Sequence, residues 1–226
     1  MKKIAGIILL VCTVMFTSCL NVTERIVFNK DGSGKVVTTV DMSEMMGMLS
    51  MFMPDSLKES MGELDKLMGS EVPAYKGMRG ISNVSTFSNE EYVYNISYEF
   101  DDVDALNKAM AVSDGNDALG LGSETKFKFK KNRLCRTSKY TSDDSEDNPL
   151  SELGLGEGGE TDDMMQFMNK PTYTIVYELP KDTKKVKIKG QEASDVDEDN
   201  KEVSIEYNLF DFLSGGNKTM QHDIKF

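Results

Sequence analysis

Apolar and polar residues alternate in short runs along most of this chain. Glu24 to Phe28 and Lys35 to Asp41 read as two strands. Between them, Asn29-Lys30-Asp31-Gly32-Ser33-Gly34 is rich in residues that tolerate positive φ, so the pair predicts a hairpin. Gly77 to Ser88 and Glu91 to Phe100 predict a second hairpin. In its latter arm Tyr94, Ile96, Tyr98 and Phe100 alternate with Asn95, Ser97 and Glu99. Lys126 to Tyr140 predicts a third, turning at Lys131-Asn132. Further alternating runs follow at Tyr173–Leu179, at Val186 and Ile188, and at Val203–Leu209.

The spacing changes between Asp41 and Gly69. Met42, Met45, Met46, Leu49 and Met53 recur at helical intervals, as do Leu57, Met61, Leu64 and Met68. Ser43 suits an N-cap, Pro54 breaks the run, and Gly69 suits a C-terminal stop. Met48, Met51 and Phe52 lie off the main stripe, so the first helix is apolar on most sides, the mark of a buried helix. Methionine also lines adaptable binding surfaces, which makes Met45, Met48, Met51 and Phe52 the candidate ligand-binding residues. A shorter helix, capped by Asp101 or Asp102, presents Val103, Leu106 and Met110 on one side. The expected fold is α+β: an antiparallel β-sheet built of successive hairpins, one face covered by the Met-rich helices.

The first nineteen residues have a different logic. Lys2 and Lys3 precede an apolar run from Ile4 to Phe16, too short to span a bilayer, then Thr17, Ser18 and Cys19. Phe16-Thr17-Ser18-Cys19 resembles the lipobox of bacterial lipoproteins with a type II signal peptide, with Phe16 where the family usually has an aliphatic residue. Cys12 fits less well, because bulky Val11 precedes it. The resemblance implies cleavage before Cys19, a diacylated thiol and an acylated new amine, so that the membrane is a partner through lipid. In that family a non-acidic residue after the cysteine, here Leu20, implies the outer membrane. The lack of an acidic cluster there implies its periplasmic face. The expected organisation is a signal peptide at 1–18, a short lipidated tether at 19–23 and one domain at 24–226 with an acidic mobile loop at 141–163. The tether would reach about 15 Å at most. The Asp31-Gly32-Ser33-Gly34 hairpin is similar to one in uncharacterised envelope lipoproteins.

Composition narrows the function. The formal net charge of −12 argues against nucleic acid as a partner and against attraction to anionic headgroups. With Cys19 acylated and Cys12 removed, Cys135 has no partner for an intramolecular disulfide, so stability rests on a core. Lys126, Lys128, Lys130, Arg133, Arg136 and Lys139 form a basic stripe, readable as a solvated sheet face or as a site for an acidic partner or headgroup. Gly34-Lys35 lacks the Ser or Thr that a phosphate loop needs next, since Val36 stands there. Asp195 to Glu206 partly meets a calcium-loop spacing but lacks its glycine, and an acidic hairpin turn accounts for it. Asp55-Ser56-Leu57 resembles an O-glycosylation acceptor, though a helix cap at Ser56 explains it equally. The single histidine, His222, reads as a surface residue near the C-terminus, which leaves no catalytic triad and no multi-histidine zinc site. The expectation is therefore a non-enzymatic envelope lipoprotein without cofactor or metal, binding another envelope component. The second reading is a carrier or sensor of an apolar or lipid ligand held between sheet and methionine helices.

Overall fold

The computed structural model describes residues 20–52, 75–115, 123–141, 171–183, 185–190, 195–197, 199, 201–209 and 217–226. The expected first hairpin forms from β1 (Asn21–Phe28) and β2 (Gly34–Asp41). Gly32 takes a φ of 89° in the turn, and Asp31 accepts hydrogen bonds from the amide and hydroxyl of Ser33. Gly34 serves packing instead. A Cβ there would fall 1.9 Å from the Val27 carbonyl oxygen and 2.5 Å from the Phe100 ring. Helix α1 (Ser43–Phe52) follows directly, with Asp41 accepting from the amide and hydroxyl of Ser43.

The second hairpin is β3 (Ile81–Glu90) with β4 (Val93–Phe100). Helix α2 (Val103–Gly115) comes next, capped by Asp102, whose carboxylate accepts the Ala105 amide at 2.8 Å. The third hairpin is β5 (Ser123–Lys130) with β6 (Arg133–Thr141). The remaining strands are β7 (Thr172–Glu178), β8 (Lys187–Gly190), β9 (Asp195–Asp197), β10 (Glu202–Asn208) and β11 (Asn217–Lys225).

These strands make two sheets rather than the single one expected. The larger has the order β3-β4-β2-β1-β7-β10-β9 and the smaller β5-β6-β11-β8. The pairing of β1 with β7 is parallel, so the sheet is not wholly antiparallel. One core cluster joins Ile26, Phe28, Ile175 and Ile205 of the large sheet to Phe127, Leu134, Met220 and Ile224 of the small one. The α+β class stands, but the inner face of the large sheet is covered by the second sheet. Each sheet has one apolar face, and two such faces bury each other. Helix α2 closes one side, with Leu106 and Ala109 fully buried. The second methionine helix expected at 57–68 and the acidic loop at 142–163 lie outside the described residues.

Strand β1 gives the sandwich two distinguishable ends. At one end, Phe28 stacks on Phe129 with ring centroids 5.3 Å apart and meets Phe100 edge-on at 5.7 Å. At the other end the described chain begins at Leu20, which is buried. Of the residues read as a tether, Leu20 is buried and Asn21 to Thr23 belong to β1. Over the length of β1 the two ends are separated by about 25 Å.

Candidate functional site

The Leu20 end is where the sequence placed its candidate residues. Leu20, Val22, Met42, Met45, Met46 and Leu209 form a second buried cluster, flanked by Tyr92 and Tyr94. Backbone hydrogen bonds knit it together. The Thr172 amide donates to the Leu20 carbonyl at 2.9 Å, Leu209 to Pro171 at 2.8 Å, and Met42 to Tyr92 at 3.0 Å. Tyr92 pays for its turn with a φ of 64°. Met45 is 6% exposed and packed in this cluster, as a core residue would be. Met48, Met51 and Phe52 lie in α1, but their side chains are outside the described set, as is all of Cys19.

Between the sheets runs a buried polar seam. Arg136 on β6 points inward, Nη1 donating to Glu24 Oε2 of β1 at 2.5 Å, Nη2 to the Tyr173 hydroxyl at 3.0 Å and Nε to Ser138 at 3.0 Å. Tyr173 in turn donates to Glu24 at 2.7 Å. The guanidinium lies 5.3 Å from the centroid of Phe127. Burial alone would disfavour the Arg136 cation, but the Glu24 carboxylate outweighs it and the pKa rises well above the ordinary value. Burial likewise pushes the Tyr173 phenol well up.

His222 extends the seam and corrects the sequence reading. It is fully buried on β11, not a surface residue. Tyr177 on β7 meets its Nδ1 at 2.7 Å and Tyr207 on β10 meets its Nε2. A neutral imidazole has one N–H and one lone pair, so one phenol accepts and the other donates. Burial, aided by the Arg136 charge, lowers the His222 pKa to about 3 and keeps the ring neutral. A sequence signal did exist. Met220, His222 and Ile224 alternate with Gln221, Asp223 and Lys225, the pattern of a strand that was not expected there. Arg136 is tied to Glu24 and Tyr173, and His222 to Tyr177 and Tyr207, across the sheets. Its chemistry is that of a clamp joining them.

A cavity of about 500 Å³ lies on the flank, between α2 and the edge strand β5, lined among others by Asp104, Asn107, Ala111, Phe127 and Lys128. Asn107 bridges its floor, donating to the Phe127 carbonyl at 3.0 Å and accepting the Phe127 amide at 2.6 Å. It is not the apolar cradle expected beside the methionines. Among the described residues no group of His, Cys, Asp or Glu has the geometry to hold a metal ion. Glu206 sits in β10 opposite Thr174, beyond the β9–β10 pairing that holds Asp195. Cys135 is half-buried on the outer side of β6, its sulfur 3.8 Å from Asp223.

Fold and site thus define a two-sheet α+β sandwich with a polar clamp inside and a methionine cluster where β1 begins. No protein-family model matches the sequence, and no curated protein matches it. Among solved structures, the folded domain of the Mycobacterium tuberculosis protein LppM, determined by NMR, is similar over 92% of this chain and 91% of that one. The TM-score is 0.44 and the sequence identity 12%.

Proposed function

We propose that the protein is a membrane-anchored envelope lipoprotein, acylated at Cys19, that acts as a non-enzymatic binding or structural module at the periplasmic face of the outer membrane. The observation that carries this reading is the junction of leader and fold. The lipobox-like Phe16-Thr17-Ser18-Cys19 is followed at once by a residue already packed in the core. A lipid on Cys19 would sit one residue, about 3.8 Å along the chain, from buried Leu20. No flexible linker separates anchor from fold, so the Leu20 end would stand at the bilayer and the Phe28 end would project from it.

The arrangement of Met42, Met45 and Met46 supports a packed base beneath the sandwich rather than a ligand cradle, because their side chains fill the space between Leu20, Val22 and Leu209. Several acyl chains would make the attachment stable where a single chain would be marginal. Inhibition of the lipoprotein signal peptidase by globomycin should cause the full-length precursor to accumulate. Cys19→Ala should abolish acylation, read by mass spectrometry of the N-terminal peptide. Normal maturation of the Cys19→Ala chain, or a bare thiol and free amine at the mature N-terminus, would overturn the proposal.

A further inference from the structure

The outer face of the small sheet is basic in a protein of net charge −12. On β5 it carries exposed Lys126, Lys128 and Lys130, against Glu124. On β6 it carries Arg133 and Lys139. Lys225 on β11 and Lys187 and Lys189 on β8 add to it, against Asp223. Lysines on β5 and β8 could simply blunt the sheet's edges. That does not account for Arg133, Lys139 and Lys225, which stand on the two central strands.

The register makes the point sharper. Lys130 lies opposite Arg133, Arg133 opposite Lys225, and Lys225 opposite Lys187. Four cations thus form one row across all four strands, about 4.8 Å from strand to strand. Like charges placed directly opposite destabilise a sheet. Asp223, which accepts from Arg133 Nε at 2.7 Å and also lies near Lys225, is one carboxylate set against these four cations. An anion laid along the row would offset that repulsion.

We propose that this face binds a linear anionic glycan, its carboxylate or phosphate groups lying along the row and over Lys128 and Lys189. Three observations select that occupant. Repeated charges on one chain match a repeated row of cations. Among the described residues the face has no Trp, Tyr, Phe, Leu, Ile or Met, the anchors a protein partner would use, and lysine is depleted from protein interface cores. The row also sits at the Phe28 end, where Phe129 and Phe226 pack. That is the end that projects from the bilayer if the anchor is at Cys19, and this last argument alone rests on the function proposed above.

The test uses the full chain in non-ionic detergent with alginate as probe and neutral dextran as control. Alginate should raise the thermal midpoint and protect Lys130, Lys187 and Lys225 from amine acylation severalfold, leaving Lys30, Lys76 and Lys108 unchanged. Both effects should vanish at roughly 0.5 M salt, where the Debye length is about 4 Å. Lys130→Gln with Lys225→Gln should weaken alginate binding roughly tenfold while leaving the unliganded midpoint the same or higher, because repulsion is removed. No alginate response overturns the proposal, as does an equal response in the double variant. Protection by phosphatidylglycerol vesicles in place of alginate overturns it in favour of a bilayer. Carbodiimide cross-linking of Lys130 or Lys187 to carboxylates within 143–163 overturns it in favour of the chain's own acidic stretch. None of these readings depends on acylation, so a failed anchor and a failed glycan site give different results.

Discussion

Glu24 and Arg136 meet 2.5 Å apart in the middle of the sandwich, one from each sheet, with both side chains almost wholly removed from solvent. The pair carries the cost of burying two ions. It is sustained by Tyr173 and Ser138, which satisfy further donors and acceptors around it.

Removing one ion should therefore be worse than removing both. Arg136→Leu leaves the Glu24 carboxylate buried without its cation and should cost about 3–5 kcal/mol. Glu24→Leu combined with Arg136→Leu should recover most of that loss. Denaturant unfolding of the two variants against the parent checks the order.

His222 makes stability depend on acidity. Its folded pKa of about 3 lies below the unfolded value of 6.5, so the unfolded chain binds the proton first as pH falls. Its contribution is complete above pH 6.5 and is lost progressively down to pH 3, at no more than about 1.4 kcal/mol per pH unit. Between these limits, unfolding free energy should fall more steeply in the parent than in His222→Gln, which cannot titrate. Equal slopes in the two proteins would refute the assignment.

Gly34→Ala should destabilise the fold by about 3 kcal/mol, since the new Cβ meets the Val27 carbonyl and the Phe100 ring. Exposed Lys35→Ala, the next residue, should change stability by about 0.5 kcal/mol or less. Thermal unfolding of both reports whether close packing, rather than the turn, requires this glycine.

Asn107→Ala should free the edge of β5. The Phe127 amide and carbonyl lose their side-chain partners, and amide hydrogen exchange at Phe127 should accelerate while that of Leu134 on neighbouring β6 holds. Unchanged exchange at Phe127 would show that α2 protects the edge by another route.

How much of this was open to inspection beforehand depends on the range of the interaction. Strand composition flanked by turn residues located β1, β2 and β6 to within a few residues, and period-two alternation did so for β4, β5, β7 and β10, because both signals are written in neighbouring positions. The cap at Asp102 and the turn at Gly32 are equally local, whereas Ser43 opens α1 by donating to Asp41 and does not cap it. Strand β11 is hidden in the sequence because His222 interrupts its apolar face, and a lone polar residue near a terminus reads as exposed without its partner. The same is true of Glu24 and Arg136. Each reads as a surface charge in its own strand.

The chain alone determined its acidic balance, and it determined its hairpins and the methionine periodicity of α1, which rest on residues a few positions apart. Only the tertiary structure decided that the strands divide into two sheets, that β7 runs parallel to β1, and that Tyr177 and Tyr207 enclose His222. It also lined up Lys130, Arg133, Lys225 and Lys187 in one row. Those facts depend on which strand lies beside which. An alternating pattern states that a strand has an inside, but the partner that makes it an inside lies a hundred residues away.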